Sequence, residues 1–195
     1  MAHPAFQHSD FLNAALALAA ERGPSAVTVA AITGRLKAPT GSFYHRFASR
    51  DALLAELWFK TVLEFQVGIR AALEAGDGLR AALHTPAWVR EHLDEGRLLL
   101  LYHRDDFVQG DWPEALREGV AQHRERGAAA LEKFARSAFG AAGPDELRCA
   151  QFVLSEMPVA AVRQHLQRRE PPPPIVDELI RTTYRAVIDR YRIKS

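Results

Sequence analysis

Apolar residues recur at helical spacing along almost the whole chain, and no stretch alternates with the two-residue period of a strand. The first helical pattern opens at Ser9 or Asp10, carries Phe11, Leu12, Ala15, Leu16, Leu18 and Ala19, and stops at Gly23-Pro24. Thr28 then caps a short helix in which Ile32 and Leu36 stand four apart, and Phe43 and Phe47 repeat that spacing further on. Between the two pairs lies Lys37-Ala38-Pro39, a break that a continuous helix would not contain. The pattern predicts two short helices joined by a tight turn, the shape of a helix-turn-helix.

At about 100° per residue, Phe43 and Phe47 face one side of the second short helix, Gly41, Ser42 and His45 point away, and Thr40, Tyr44 and Arg46 flank them. Short hydroxyls, a phenol, an imidazole and a guanidinium can bond phosphates or base edges without bulk. Thr28 to Arg50 contains no acidic residue. Ala30 and Ala31 are too short to reach a base, so any sequence reading rests on the helix after the turn.

Ser49 is placed to cap a long fourth helix, with Asp51 in its first turn and Leu54, Trp58, Val62, Phe65, Ile69 and Leu73 along it as far as Gly76 and Gly78. Thr85-Pro86 reads as a cap and first residue opening a segment with Trp88, Val89 and Leu93. Gly96 separates that segment from Arg97 to Arg104, and residues 105 to 112 read as a loop. Asp111 and Glu114 have capping-box spacing before a helix that runs to about Phe139. Gly143-Pro144 starts the next helix, where Pro158 should introduce a kink, and Pro171 to Pro174 form a stiff spacer. The last helix is apolar over so much of its circumference, from Val176 to Tyr191, that it needs a second covered face. A partner subunit would cover it, with Phe152, Val162, Leu166, Val176, Leu179, Thr183 and Val187 at the dimer interface.

Composition narrows the picture. With 195 residues, 48% of them hydrophobic and 25% charged, the chain can fold around a sizeable core. The overall charge of +1 hides an asymmetry: residues 1 to 50 hold five Lys/Arg (22, 35, 37, 46, 50) against Asp10 and Glu21, which is +3. A single cysteine, Cys149, excludes an internal disulfide and paired-cysteine motifs. No apolar run reaches membrane length and the N-terminus does not read as a signal peptide, so a cytoplasmic protein without membrane partners is expected. Phosphate loops, HExxH and nucleophile elbows do not occur, and no cofactor, metal or catalytic residue is expected. The rival reading is a small helical enzyme with a site around His92, His103, Asp105 and Asp106.

The run Thr28-Val29, Ile32, Gly41-Ser42-Phe43-Tyr44, Phe47, Ser49-Arg50 and Leu53-Leu54 resembles the DNA-binding signature of the TetR-type (TetR/AcrR) transcriptional regulators. The turn departs from it. Lys37, Ala38 and Pro39 stand where the family usually has a glycine, an apolar residue and a serine, which places Lys37 at a position that often has positive φ. The resemblance implies an all-α homodimer, with a three-helix DNA-binding unit at residues 1 to 48 and a helical effector-binding and dimerisation unit at 49 to 195. Thr28, Lys37, Thr40, Gly41, Ser42, Tyr44, His45, Arg46 and Arg50 would meet a double-stranded, palindromic operator. The implied function is a repressor released by a small apolar or aromatic ligand. Residue type and position select Trp58, Phe65, Trp88, Tyr102, His103, Phe107 and Trp112 as the pocket candidates. Specific binding to its own promoter region would separate this reading from the enzyme.

Overall fold

The computed structural model describes residues 6–192, and their regular structure is helical, without strands. Ten α-helices follow in order: α1 His8–Arg22, α2 Val29–Leu36, α3 Thr40–Tyr44, α4 Arg50–Glu74, α5 Gly78–Glu91, α6 Leu93–Leu101, α7 Glu114–Phe139, α8 Pro144–Gln151, α9 Met157–Arg168 and α10 Ile175–Tyr191. They form two compact units. The first takes the chain up to Val62 together with Asp94–Arg117, and the second takes Leu63–Leu93 and the chain from Glu118 on. The hairpin's unit therefore continues past residue 48 and adds a later segment that the linear reading does not contain.

In the first unit, Phe11, Ile32, Phe43, Leu53, Leu54 and Leu98 are fully buried in one cluster with Phe47, Trp58 and Phe107. Local chemistry fixes the helix ends. The backbone N–H of Gln7 donates to Asp10 Oδ2 at 2.6 Å, Gly23 turns the chain out of α1 with φ 85°, and Ser49 Oγ accepts from Ala52 N–H at 3.0 Å to start α4. Arg97, on α6 and only 8% exposed, donates from Nε to the carbonyl of Ala20 in the last turn of α1 at 3.1 Å. A cation there also suits the negative end of the helix dipole.

In the second unit, Val153, Leu154, Ala72 and Ala81 form one buried cluster, and Ala135, Phe139, Ala150 and Ile188 form another. Gly78 is essential to this packing: a Cβ there would stand 2.2 Å from Phe134 and 2.3 Å from the Tyr184 hydroxyl. Arg90 clamps the chain before α10, donating to the carbonyls of Pro172 and Pro173 and to both carboxylate oxygens of Asp177. Burial pushes the Tyr184 phenol up to about 12, with Asp77 adding to the shift.

Several expected boundaries differ. Thr85-Pro86 does not open a helix: α5 begins at Gly78, capped by Asp77 Oδ1 accepting from Arg80 N–H at 2.9 Å, and Pro86 lies inside it. The stronger cap lies eight residues earlier than the one chosen from sequence. Gly96 sits inside α6, and the break falls at His92. Part of the expected loop is a 3₁₀ turn, Arg104–Asp106, followed by buried Phe107 and Val108. Ahead of Pro158 the chain widens into a π-helical segment, Phe152–Glu156, where Met157 N–H donates to the carbonyl of Phe152. One residue inserted into the ladder beside a proline that cannot donate is the local form of the expected interruption.

The dimer face also needs correction. Val162 and Leu166 are fully buried and Val176 is 4% exposed within a single chain, so these three residues belong to the chain's own core. Thr183 and Val187 are half-buried. Phe152 at 36%, Ile175 at 60% and Leu179 at 58% exposure remain on the surface.

Candidate nucleic-acid interface

The hairpin is built around three phenylalanine rings. Phe11 of α1 meets Phe43 and Phe47 edge-on at 6.0 and 6.2 Å, and Phe43 lies 5.4 Å from Phe47. With Phe43 held inward at 0% exposure, the helical repeat turns its neighbour Tyr44 outward to 59%. Thr40, Gly41 and His45 are also exposed, and Ser42 is half-buried, its hydroxyl donating to the Pro39 carbonyl at 2.6 Å.

The turn between α2 and α3 closes by the hydrogen bonds of a Schellman motif. Ala38 N–H donates to the Thr33 carbonyl at 2.9 Å, and Lys37 N–H donates to Gly34 at 3.2 Å. Lys37 occupies the left-handed position, φ 53° and ψ 38°, which glycine usually fills. Its ammonium is held on an exposed residue at the mouth of the turn, and among the described residues no hydrogen bond or ion pair ties it down. Thr28 caps α2 as expected, its Oγ1 accepting from Ala31 N–H at 3.1 Å, and the residue stays exposed.

Arg46 and Arg50 behave differently from the expectation that they reach phosphates. Arg46 stands over the Phe11 ring at 5.4 Å and donates to the carbonyls of Ser42, at 2.8 Å, and of Phe6. Arg50 donates to the carbonyls of Val27 and, at 2.9 Å, Pro24, stapling the 3₁₀ turn Pro24–Ala26 that joins α1 to α2, and it pairs with Asp51. Carbonyls left over by short helices and turns need donors, and a guanidinium has five. These two residues hold the frame. Sequence reading missed this role because charge alone does not say whether an arginine turns inward. It also missed the clamp between Arg35 and Glu21, 2.6 and 2.9 Å apart, which ties α2 to α1.

The expected pocket residues are divided between the two units. Trp58, Tyr102, Phe107 and Trp112 belong to the first unit, with Trp58 5.1 Å and Tyr102 6.2 Å from Phe107, and Trp112 5.7 Å from Phe59. Phe65 and Trp88 belong to the second unit, 5.0 Å apart. His103 is exposed, with its backbone N–H donating to Asp106 Oδ2 at 2.8 Å.

Of the residues of the rival enzyme reading, His92 stacks on Trp88 at 5.0 Å in the second unit, whereas Asp105 pairs with Arg104 and Asp106 closes the 3₁₀ turn in the first. Among the described residues no group of three or more His, Cys, Asp or Glu could hold a metal ion, and no helix is long and apolar enough to cross a membrane.

Residues 11–57, from the buried Phe11 of α1 into the first turns of α4, match the family described as bacterial regulatory proteins, tetR family. A comparison with curated proteins finds no match. The matched segment contains the phenylalanine-centred hairpin, the Schellman turn and the exposed polar face described above, and this match supports a DNA-binding transcriptional regulator.

Proposed function

We propose that the protein is a repressor that binds a palindromic operator as a homodimer and is released from it by a small molecule. The observation that carries this reading is the acid-free face around the turn, formed by exposed Thr28, Lys37, Thr40, Gly41, Tyr44 and His45 with half-buried Ser42, inside the segment that matches the tetR family. Arg46 and Arg50 support that face from within. Two copies of α3, one from each subunit, read successive major grooves, so the half-sites lie about one helical turn apart.

The proposed division of labour is the one expected from sequence, residues 1 to 48 for DNA and 49 to 195 for effector and partner, although the compact unit around the hairpin extends further. Ile175, Leu179, Thr182 and Ala186 fall on one exposed stripe of α10, with exposed Phe152 ahead of α9, and a second copy of the chain covers them. Covering apolar surface of this kind is worth about 25 cal/mol per Å² before the cost of association. The release mechanism uses α4, whose first turns follow the hairpin directly and whose last turns lie among second-unit residues. A ligand that prefers the released arrangement must do so by about 5.5 kcal/mol to move a 1:99 equilibrium to 99:1.

Footprinting on DNA flanking its own gene, with sedimentation of the free protein, tests the reading. A protected site with two symmetric halves and a dimeric protein are expected. Protection of a single half-site by a monomer would remove the dimer, and no protection at any flanking site would remove the repressor.

A further inference from the structure

Resting on the regulatory reading above, we propose that the effector is a small organic anion with an apolar body, held in the open groove between the last turns of α4 and the middle of α7. Arg70, Leu73 and Glu74 line it from α4, and Arg126, Ala129, Ala130 and Lys133 from α7, around a volume of about 460 Å³. Spacings of three, four and seven place each set on one helix face. The volume lies in the ordinary range for sites that take small organic molecules.

Charge selects the class. The lining contains three cations and one acid, a local balance of +2. Among the described residues neither Arg70, Arg126 nor Lys133 has a hydrogen bond or ion pair within the protein, whereas Arg90, Arg136 and Arg148 of the same unit are each paired with a carboxylate. Cations drawn together in excess of the single acid, Glu74, repel one another, and a bound anion relieves that repulsion. The influence of Arg70 reaches His123 as well, whose imidazole is held below its ordinary value first by burial and then by that guanidinium.

The groove's floor selects the rest of the ligand. Gly127 to Ala130 is a run of small residues flanked by Arg126 and Lys133, so α7 recedes there and presents methyl groups opposite Leu73. A bare inorganic anion makes no use of that surface, and a neutral apolar molecule forfeits the cations. A carboxylate on an aliphatic or aromatic body uses both, with the arginine forks matching the carboxylate plane.

The test uses the full chain with octanoate, phenylacetate and naphthylacetate, their amides, and inorganic phosphate, each followed by calorimetry. At least one carboxylate is expected to bind, with its amide and phosphate weaker by about tenfold or more, the loss of one charge-assisted hydrogen bond. Arg70→Gln with Arg126→Gln should lower carboxylate affinity roughly a hundredfold while leaving the unliganded melting temperature unchanged or higher. Absence of binding by all three carboxylates, amides that bind as well, or undiminished binding in the double variant overturns the site. Operator binding is measured first without ligand, and failure there sinks the repressor reading, with calorimetry still judging the groove. Carboxylate that releases DNA from the wild type and not from the double variant supports the effector role. Binding without a change in operator affinity, or equal release in both proteins, overturns it.

Discussion

In the hairpin's unit Arg46 turns onto the carbonyls of Ser42 and Phe6, Arg50 onto Val27 and Pro24 and Arg97 onto Ala20, as Arg90 does onto Pro172 and Pro173 in the other unit, where Arg70 and Arg126 instead line an open groove without such partners. The difference follows from how near each arginine stands to the ends of helices. The carbonyls of Phe6, Ala20, Pro24 and Val27 lie ahead of α1, in its last turn and in the turn before α2, where helical partners are missing, and arginines supply the donors. Arg70 and Arg126 lie within the long helices α4 and α7, which satisfy their own backbone there, so these side chains can project, whereas Arg50 is the first residue of α4. A cation's position in sequence says little about its use until the helix ends within its reach are known.

The largest expected effect tests the packing half of this comparison. Phe43→Ala removes a ring at 0% exposure that touches both Phe11 and Phe47, and should cost about 3 to 5 kcal/mol by chemical denaturation. Retained stability would mean that the hairpin is not organised around these rings.

Arg50→Ala comes next and separates a strut from a DNA contact. Loss of its charge-assisted hydrogen bonds should lower stability by about 1.5 to 3 kcal/mol. If unfolding is unchanged while the salt dependence of operator binding drops by about one charge, Arg50 faces phosphate and the inward geometry is wrong.

Acid should distinguish the second unit. His84 donates from Nε2 to the Phe65 carbonyl at 2.7 Å with its ring against Gly68, and burial holds its imidazole below the ordinary 6.5, opposed by the Phe65 carbonyl and Glu91 and assisted by His92. The unfolded chain then binds the proton more readily than the folded one. This contribution is complete above about pH 6.5 and is lost as pH falls through the folded value. His84→Gln should flatten the melting temperature between pH 7 and 5. An equally steep fall in the variant would assign the sensitivity elsewhere, His123 being the other imidazole whose value burial lowers.

The smallest effect concerns the turn. Lys37→Gly relieves a left-handed side chain and should be neutral or stabilising by up to about 1 kcal/mol, yet weaken DNA binding through the lost cation. Unchanged affinity would remove Lys37 from the interface.

Most of the hairpin was legible in the sequence because its signals are local. Thr28, Ser49 and Gly23 act within a few residues of themselves, and the four-residue spacing of the phenylalanines states which way α3 turns. Lys37 at positive φ followed from the usual glycine at that place. The second unit was less legible because its determinants are tertiary. Val162, Leu166 and Val176 read as an interface because an apolar residue does not name its partner, and the chain itself covers them. Thr85-Pro86 carried a local cap signal that Asp77 outcompeted. The basic groove had a trace, small residues flanked by cations at Arg126 to Lys133, that gained meaning only with α4 beside it.

The central claim is that α3 meets DNA with the face opposite Phe43. The most direct test is Tyr44→Ala, with operator affinity and melting temperature measured on the same preparation. Tyr44 is 59% exposed, so the account predicts about tenfold or greater weakening of operator binding, the loss of a hydrogen bond at a desolvated contact, with the melting temperature unchanged. A variant that binds its operator normally and melts early would place Tyr44 in the core and contradict the orientation of the recognition helix.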